Sequence, residues 1–381
     1  MKILFVTNLP SPYRVDFFNE LAKSAELTVC YERASSAERD ASWQNENARK
    51  YKEICCNCKP FRADKTLGLD LIRKVKKQTF DHLIISGYAS PSSIFLILYC
   101  QIKKIPYFIE TDGGFNKKDR LLSRIIKKRL ICKAKGIFTT CNELTTYFKE
   151  LGFRGQIYKY PFSSLFERDV FSAPADEVEK TALRNEFGMK EDFVVVTVGR
   201  FSYQNGYGKG YDKVLNAAKI LQATSHSIGW YIIGGKPTKE FIDLTEQYEL
   251  SNVHYVDFKK KEELKKYYRA ADLFVLMTVG DIWGLVINEA MACALPVITT
   301  DRCIAGLELI ENEENGYIVS VGDEQALADK TKQILETPYL RTQMQKNNLL
   351  KISRFTIESM ANRHIQILES LHSQHSTGEK R

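Results

Sequence analysis

Residues 271–300 decide the fold, and their sequence is ADLFVLMTVGDIWGLVINEAMACALPVITT. Residues 273–278 form a short and almost unbroken apolar run, which predicts a strand buried on both faces. Residues 279–284 include two glycines and an acid and are typical of a loop. Residues 285–294 are rich in helix formers and end before a proline, and residues 296–300 are again β-rich. This order of strand, loop, helix and strand predicts a right-handed βαβ unit.

Two acids lie in this unit, Asp281 in the loop and Glu289 one turn into the helix. The loop follows the carboxyl end of a parallel strand, which is where open α/β sheets bind ligands. We expect the backbone N–H groups around Trp283 to Val286, which include those of Gly284 and Leu285, to face that edge and to bind phosphate. Carboxylates that can accept hydrogen bonds from sugar hydroxyls lie beside amides that can bind phosphate. This combination indicates a nucleotide sugar as the ligand. In the alternative interpretation, Glu289 is a solvated helix residue and Asp281 is a helix N-cap.

The alternation of strand and helix extends along most of the chain. Strands are predicted at 3–8, 27–32, 82–87, 106–111, 136–140, 157–160, 193–199, 230–234, 253–258, 273–278, 296–300 and 317–319. Helices are predicted at 13–24, 67–78, 91–102, 119–133, 142–151, 285–294, 324–336, 338–351 and 355–371. This pattern predicts an α/β protein with parallel sheets covered by helices on both faces. Residues 166–190 interrupt it and predict a linker, and the polar tail 372–381 is expected to be disordered.

The 381 residues are enough for two domains of about 150 to 200 residues each. The apolar run 3–6 is too short for a signal peptide and the run 94–100 too short for a membrane span, so we expect a cytoplasmic protein. Nine cysteines without a signal peptide favour reduced thiols. The cluster Cys55, Cys56 and Cys58 has no second Cys or His pair nearby in the sequence to complete a zinc site.

The net charge of +8 is distributed unevenly. Residues 1–180 contain 31 Lys and Arg against 21 Asp and Glu, whereas residues 181–381 contain 24 against 26. The positive excess in the first half suits an anionic partner. No nucleic-acid-binding motif is present, so we expect no nucleic acid, and an anionic membrane surface fits better.

Residues 117–135 supply much of that positive charge in an amphipathic pattern. Apolar residues recur at helical spacing at Leu122, Ile125, Ile126 and Leu130. Seven cations surround them: Lys117, Lys118, Arg120, Arg124, Lys127, Lys128 and Arg129. The composition is typical of a helix that lies on an anionic membrane. It is equally typical of a helix that faces the core and exposes a basic back to solvent.

Cations also follow the first strand of the second half. Gly199 and Arg200 end that strand, and Lys209 follows a glycine-containing loop. Glycine lets a backbone approach a ligand closely, and the two cations could neutralise a departing nucleoside diphosphate. Alternatively, both are surface cations. In the first half, Arg14 follows a proline-stiffened loop and could bind an acceptor phosphate or form a surface salt bridge.

The acid, seven residues, acid pattern resembles the signature of the family-4 retaining glycosyltransferases, which have the GT-B fold. Asp281 stands at the first acid and Glu289 at the second. The residues that follow in the family pattern are present in order: Ala290, Ala292 and Pro296. There are two departures, because the first acid is Asp where Glu is usual and Ala294 stands where Gly is common.

The resemblance implies a GT-B protein, with two doubly wound Rossmann-like domains facing each other across a cleft. Residues 1–165 would form the acceptor-binding domain, and residues 166–190 the linker. Residues 191–354 would form the nucleotide-sugar-binding domain. Residues 355–381 would form a helix that crosses back to the first domain, followed by the tail.

The resemblance also implies roles for residues of the second domain. Arg200 and Lys209 would grip the donor diphosphate. Asp281 would hold hydroxyls of the donor sugar, and Glu289 would bind the ribose. The helix that begins at Gly284 would support the phosphates.

Other site positions follow from the same resemblance. The turns at Gly199 and Gly234 would border the nucleotide, and the strand that ends at Phe258 would lie against the base. Asp112 stands near a strand end where family members often carry His or Asp facing the anomeric carbon. A carboxylate there could stabilise the positive charge of the transition state, although Asp112 is also compatible with an Asp-Gly turn. The loop 203–208 is an apparent insertion.

The activity implied by the resemblance is transfer of a sugar from a UDP- or GDP-sugar to a saccharide acceptor. The acceptor would be lipid-linked, as in bacterial surface-polysaccharide assembly, which would place the protein peripherally on the inner face of the plasma membrane. No Asp-x-Asp triplet occurs, so we expect no divalent metal and no cofactor. A nucleotide-sugar epimerase of the same fold and a non-catalytic partner subunit are the alternatives.

Overall fold

The computed structural model describes residues 1–34, 48–62, 65–117, 119–201, 208–222 and 227–378. Contacts divide the chain into two compact units. The first unit comprises Met1–Ser164 together with Thr356–Arg381, and the second comprises Leu165–Phe355. Residues 166–190, expected to be a linker, are therefore grouped with the second unit.

The first unit contains nine strands and six helices within its described residues. The strands are β1 (Lys2–Thr7), β2 (Glu26–Tyr31), β3 (Lys52–Cys55), β4 (Lys59–Arg62), β5 (Lys65–Leu67), β6 (His82–Ser86), β7 (Phe108–Glu110), β8 (Gly136–Thr139) and β9 (Gln156–Lys159). The helices are α1 (Pro12–Leu21), α2 (Asp70–Val75), α3 (Pro91–Lys103), α4 (Leu121–Ile131), α5 (Asn142–Leu151) and the C-terminal α14 (Ile357–Gly378). Seven strands form one parallel sheet in the order β3-β2-β1-β6-β7-β8-β9, and β4 pairs with β5 in an antiparallel hairpin.

The second unit repeats the same architecture. Its strands are β10 (Phe193–Val198), β11 (Ile228–Ile233), β12 (Val253–Val256), β13 (Leu273–Leu276), β14 (Val297–Thr300) and β15 (Gly316–Val319). Its α-helices are α6 (Glu177–Phe187), α7 (Tyr211–Leu221), α8 (Lys239–Gln247), α9 (Lys261–Ala270), α10 (Leu285–Ala292), α11 (Ile304–Leu309), α12 (Glu324–Glu336) and α13 (Pro338–Ile352). A short 3₁₀ turn, Glu167–Asp169, precedes α6.

The strand order of the second sheet locates its ligand-binding edge. All neighbours are parallel in the order β12-β11-β10-β13-β14-β15, so the chain reverses its direction across the sheet between β10 and β13. Sheets of this order bind ligands outside the carboxyl ends of the strands at that reversal. Strands β10, β11 and β13 are buried on both faces, as their apolar sequences predict.

Helix α6 is held to the second sheet by one buried acid. Asp272, immediately before β13, accepts from Lys180 at 2.7 Å and from Arg184 at 2.6 Å, and the amide of Val194 donates to it at 2.9 Å. Burial opposes ionisation of Asp272, but the charges of Lys180 and Arg184 outweigh it and lower its pKa. The polar interaction therefore fixes the helix that precedes the first strand of this unit.

The predicted alternation of strand and helix is confirmed, and most element bounds lie within three residues of their predicted positions. Strands β3, β4 and β5 were missed because they are short and carry charged residues and Pro60, which obscure a strand pattern. The expectation of a disordered tail from residue 372 is wrong as far as Gly378, because α14 continues without a proline to stop it. None of the described helices has the length and apolar character needed to cross a membrane.

We expect Asp272→Asn to lower the stability of the second unit by about 3 kcal/mol, because it leaves the buried ammonium of Lys180 without its countercharge. Urea unfolding followed by tryptophan fluorescence measures this, since Trp230 and Trp283 both lie in this unit. The control is Asp243→Asn, which removes an exposed ion pair with Lys239 and should leave the midpoint unchanged. Equal midpoints for the two variants would contradict the stabilising role of Asp272.

Candidate active site

The carboxyl ends of β10 and β13 bring three predicted site residues into one area of the second unit. Arg200 follows β10, is exposed, and has no ion-pair partner among the described residues. Lys209 precedes α7, and its Nζ donates to Oδ2 of Asp281 at 2.6 Å. Lys209 and Asp281 are both partly exposed, so two cations and one carboxylate are accessible at the reversal of the sheet.

Backbone contacts fix this area. Gly234, after β11, approaches Gly199 so closely that a Cβ on Gly234 would lie 1.8 Å from the Gly199 carbonyl oxygen. Gly210 has a φ of +69°, and a Cβ there would lie 1.9 Å from the carbonyl oxygen of Met277. Only glycine fits at these two positions. Because Gly210 lets the backbone approach Met277 just after β13, the neighbouring Lys209 lies beside the end of that strand.

Asp281 is held rigidly but is not the helix cap of the alternative interpretation. The N-cap of α10 is Gly284, which has a φ of +100°. Oδ1 of Asp281 accepts instead from the amide of Trp283 at 3.3 Å, and the backbone of Asp281 forms a bridge with Cys303. Both carboxylate oxygens of Asp281 thus have partners, one of which is Lys209.

Trp283, predicted to bind substrate, has a hydrogen-bonded amide and a buried ring in this structure, and its role stays a prediction. Its amide bonds to Asp281, its ring is buried, and its indole N–H donates to Oδ1 of Asn288 at 2.9 Å. An apolar ring next to a site loop is as easily a core residue as a ligand contact, and here it packs in the core. The next two amides, of Leu285 and Val286, have no hydrogen-bond partner among the described residues. The start of α10 therefore retains free donors of the kind that bind phosphate.

Glu289 lines a small cavity and is not the solvated residue of the alternative interpretation. The hydroxyl of Tyr268 donates to Oε2 of Glu289 at 3.2 Å. The other residues around the cavity are Leu165, Asp169, Lys261, Leu264, Lys265, Ala292 and Cys293. Burial raises the pKa of Glu289 to about 7, against the opposing charge of Lys261. Both Lys261 and Lys265 donate to Asp169, at 2.5 Å and 2.7 Å. The two ammonium groups are therefore paired with Asp169 and not with Glu289.

Phe258 is the remaining site residue of this unit. It lies just beyond β12, the edge strand, and its side chain is 61% exposed. An exposed ring at the carboxyl edge of the sheet can stack on a planar ligand. The predicted loop insertion at 203–208 lies largely outside the described residues.

The two predicted site residues of the first unit lie together, and one of them is buried. The guanidinium of Arg14 is buried, donates to Oε1 and Oε2 of Glu110 at 3.0 Å and 2.8 Å, and also bonds to Asp112. The structure shows the guanidinium of Arg14 buried and paired with two carboxylates, and the prediction that it binds acceptor phosphate is not tested. Asp112 follows β7 and keeps a partly exposed side chain.

Sequence analysis missed Glu110 and His364, which complete this cluster. Nε2 of His364, on α14, lies 3.4 Å from Oε1 of Glu110, and both side chains are fully buried. A glutamate within the apolar run of β7 was a usable signal, because a buried charge requires a partner. His364 had no comparable signal, since α14 is polar along much of its length.

The amphipathic helix α4 does not turn its apolar side to the core. Leu121 is 77% exposed, Leu122 71%, Ile125 56% and Ile126 47%, and only Leu130 and Ile131 of the helix are buried. Six of its seven predicted cations are described, and Lys118 lies outside the described residues. The alternative of a core-facing helix is therefore wrong for its first two turns.

Thiols and potential metal ligands complete the description. All nine cysteines are free thiols. Within the described part of the chain, no group of three or more His, Cys, Asp or Glu side chains is arranged to hold a metal ion.

Comparison with known proteins identifies the second unit. Residues 179–350 match the family described as glycosyl transferases group 1. This segment is a group 1 glycosyl transferase domain. It contains every predicted site residue of the second unit, from Gly199 to Glu289.

Curated relatives match over part of their length. The capsular polysaccharide biosynthesis glycosyltransferase CapM of Staphylococcus aureus is 29% identical over 154 residues, which cover 40% of this chain and 39% of CapM. The amylovoran biosynthesis glycosyltransferase AmsK of Erwinia amylovora is 30% identical over 188 residues, 44% of this chain and 45% of AmsK. The chain thus spans less than half of the length of these two relatives.

Solved structures match along almost the whole chain. Sucrose-phosphate synthase from Thermosynechococcus elongatus superposes with a TM-score of 0.75 at 18% identity, covering 98% of this chain and 100% of that one. HepE of Anabaena, in complex with UDP and glucose, gives a TM-score of 0.71 at 18% identity with the same coverage. The predicted GT-B fold of two Rossmann-like domains is confirmed.

We expect Glu289→Gln to become increasingly more stable than the wild type as pH rises from about 4.5 to about 7, and the gap to stay constant above that. An acid whose pKa is raised on folding destabilises the folded state when it ionises, and glutamine removes that cost. Thermal unfolding of both proteins between pH 4 and 9 measures the gap. The exposed Glu336→Gln is the control and should give a flat difference. A flat difference for Glu289→Gln would show that its carboxyl is solvated.

Proposed function

We propose that this protein is a retaining glycosyltransferase that transfers a sugar from a UDP- or GDP-sugar to a saccharide acceptor. The observation that carries the proposal is the convergence of Arg200, Lys209 and Asp281 at the reversal of the second sheet, within a group 1 glycosyl transferase domain. CapM and AmsK are named for polysaccharide biosynthesis, which supports the same setting for this chain.

The charges at the reversal suit departure of a nucleoside diphosphate. The bond between the anomeric carbon and the diphosphate oxygen breaks, and its electron pair stays on the diphosphate. Arg200, Lys209 and the free amides of Leu285 and Val286 stabilise the charge that develops there. Lys209 bonds to Asp281 in the free protein, so it exchanges that carboxylate for a phosphate oxygen when the donor binds.

The acceptor attacks from the face that the diphosphate leaves. Its hydroxyl oxygen forms the new bond to the anomeric carbon, and its proton passes to the departing phosphate oxygen, so the anomeric configuration is retained. The role that the resemblance implies for Asp112, stabilising the positive charge that develops on the sugar, stays a prediction. Asp281 holds hydroxyls of the donor sugar.

The nucleoside occupies the other end of the same edge. Glu289, as a carboxylate, accepts hydrogen bonds from the ribose hydroxyls, and the exposed ring of Phe258 packs against the base. The cationic and amide donors neutralise the phosphates, so we propose that no divalent metal or other cofactor is required.

We expect Lys209→Ala and Glu289→Ala each to reduce turnover of the nucleotide sugar at least 100-fold, because each removes a group that binds the donor. Release of nucleoside diphosphate from UDP- and GDP-sugars, with and without EDTA, measures this. Lys266→Ala is the control, since Lys266 forms an exposed ion pair with Glu186 on the surface. A donor at a hundred times its Kd should also stabilise the wild type by about 2.7 kcal/mol.

Several results would contradict this proposal. Full activity in either variant would exclude the assigned donor site. Release of an isomerised sugar without transfer would identify an epimerase of the same fold. Absence of stabilisation by any nucleotide sugar would indicate a non-catalytic subunit, and loss of activity in EDTA would exclude metal independence.

We further propose that α4 lies on the cytoplasmic face of an anionic membrane, where a lipid-linked acceptor would be available. Four exposed apolar side chains on its first two turns, flanked by cations, have the composition of an interfacial helix. Lys117, Arg120 and Arg124 lie near its start, and Lys128 and Arg129 near its end. The positive excess of residues 1–180 favours the same surface.

We expect the double substitution L122S/I126S to weaken binding to vesicles of phosphatidylglycerol at least tenfold, because two apolar side chains no longer enter the interface. Co-sedimentation with vesicles of phosphatidylglycerol and of phosphatidylcholine measures binding, and raised salt should weaken the anionic case. The control is Leu350→Ser, an equally exposed leucine on α13. Equal binding of the double variant and the control would contradict the proposal.

A further inference from the structure

Exposed apolar side chains of the first unit are confined to one part of its chain. All nine large apolar side chains that are exposed among its described residues lie between residues 61 and 126. Four of them belong to α4, and the other five are Phe61, Leu67, Leu69, Phe95 and Ile102. Single exposed apolar residues are ordinary on a protein surface, but a group of this size indicates a surface that binds a partner.

The same part of the chain carries the positive charge of the protein. Residues 59–135 contain 18 Lys and Arg against 6 Asp and Glu, a net charge of +12, whereas the whole chain has +8. The rest of the chain therefore has a net charge of −4. Apolar side chains among an excess of cations fit a partner that is both apolar and anionic, and the surface of an anionic bilayer has that chemistry.

The elements that carry these residues pack together. Helix α3 contacts β5, α2 and α4. Nε2 of Gln101, near the end of α3, donates to the carbonyl oxygen of Arg129 on α4 at 3.0 Å. Nζ of Lys76, just after α2, lies 5.1 Å from the centre of the Tyr99 ring on α3. The hairpin of β4 and β5 is therefore joined to α4 through α3, within a single unit.

The hairpin exposes one of its faces. Lys59 and Leu67 are partners across the two strands, and both are exposed. Phe61 is 52% exposed and Leu67 43%, and Lys65 is exposed beside the turn. Thr66, which the alternation of a strand directs to the opposite face, is fully buried. The face directed to solvent thus combines apolar side chains with two lysines.

A buried carboxylate fixes the hairpin to α3. Glu32 lies directly after β2 and is buried. Its Oε2 accepts from the hydroxyls of Thr66 at 2.5 Å and Ser90 at 2.8 Å, and its Oε1 accepts from the hydroxyl of Ser93 at 2.5 Å. Thr66 belongs to the hairpin, while Ser90 and Ser93 lie at the start of α3. Movement of the hairpin would leave this buried carboxylate without a partner, so the hairpin is held firmly at the carboxyl edge of the first sheet.

We infer that the hairpin of β4 and β5 is a second membrane anchor, which inserts Phe61 and Leu67 among the headgroups of an anionic bilayer. This inference rests on the proposed contact of α4 with the membrane and extends it to a separate element of the same unit. A single interfacial helix leaves the protein free to tilt about the helix axis, whereas two anchors on one rigid unit fix its orientation. Once α4 is bound, the hairpin also meets the bilayer at a high effective concentration.

A tryptophan in place of Phe61 tests the insertion directly. For Phe61→Trp bound to vesicles of phosphatidylglycerol, we expect a lipid with a nitroxide near its headgroup to reduce the added fluorescence about twofold, because the ring lies at that depth. Leu350→Trp is the matched control, since Leu350 is exposed on the second unit and should show no added quenching. Raised salt should release the protein from the vesicles and restore the fluorescence.

Affinity measurements test whether the two anchors act on the same bilayer. We expect F61S/L67S to weaken binding to these vesicles at least tenfold. Combined with the double substitution in α4, it should weaken binding by about the product of the two separate factors, because distant contacts contribute independently. Thermal unfolding should be unchanged, since the replaced side chains are exposed.

The control for a general loss of apolar surface is I242S/L350S, which replaces two exposed residues of the second unit and should bind the vesicles as the wild type does. Equal weakening by this control and by F61S/L67S would contradict a specific anchor.

The remaining outcomes separate this inference from the proposed function. Phe61→Trp that stays unquenched on vesicles to which it binds would overturn the second anchor and leave the contact of α4 intact. A wild type that self-associates without lipid, together with a monomeric F61S/L67S, would assign the surface to a second copy of the chain and would also overturn the inference. A wild type that binds no anionic vesicles would refute both membrane contacts, whereas turnover of the nucleotide sugar would still support the transferase.

Discussion

Close approach of backbones at the carboxyl ends of β10, β11 and β13 is the constraint on which the candidate site depends. Gly234 fits against Gly199, and Gly210 against Met277, at distances that no side chain tolerates. These contacts place Lys209 within hydrogen-bonding distance of Asp281, and they leave the carboxyl edge of the sheet open for a ligand. A residue with a Cβ at Gly234 or Gly210 would push the neighbouring strands apart, and the cations at their ends would move apart with them.

The buried acids of the molecule show how environment divides similar groups among different tasks. Asp272 has two cations and an amide as partners, which keep it ionised and make it an anchor. Glu289 has one hydroxyl, and its nearby lysines are engaged by Asp169, so burial raises its pKa. Asp272 needs its charge to hold α6. Glu289 gains most from a polar ligand, because such a ligand replaces the hydrogen bonds with water that the carboxyl group loses on burial.

The sequence predicted the fold well because the central strands of both sheets are mostly apolar and are separated by helices, a pattern with few alternative folds. The spacing of the motif also predicted Asp281 in the loop after a strand and Glu289 one turn into a helix, which is where both residues lie, while their roles stay predictions. It could not show which way a side chain turns. Trp283 turns into the core and Arg14 pairs with Glu110, and neither fact is encoded in spacing. His364 contacts a residue more than 250 positions away, which no local pattern could reveal.

The C-terminal helix α14 gives the first unit a discontinuous chain, because Ile357–Gly378 follow the whole second unit in sequence. It packs on α1, and His364 inserts among the rings of Phe17, Phe138 and Tyr160. During synthesis the second unit can close as soon as it is complete, whereas the first must wait for the final segment of the chain. Until then its core presents an unfilled aromatic surface and a Glu110 without the neighbouring ring of His364. The unit that is made first is therefore finished last, and a chain that stops before α14 would be open to misfolding and proteolysis.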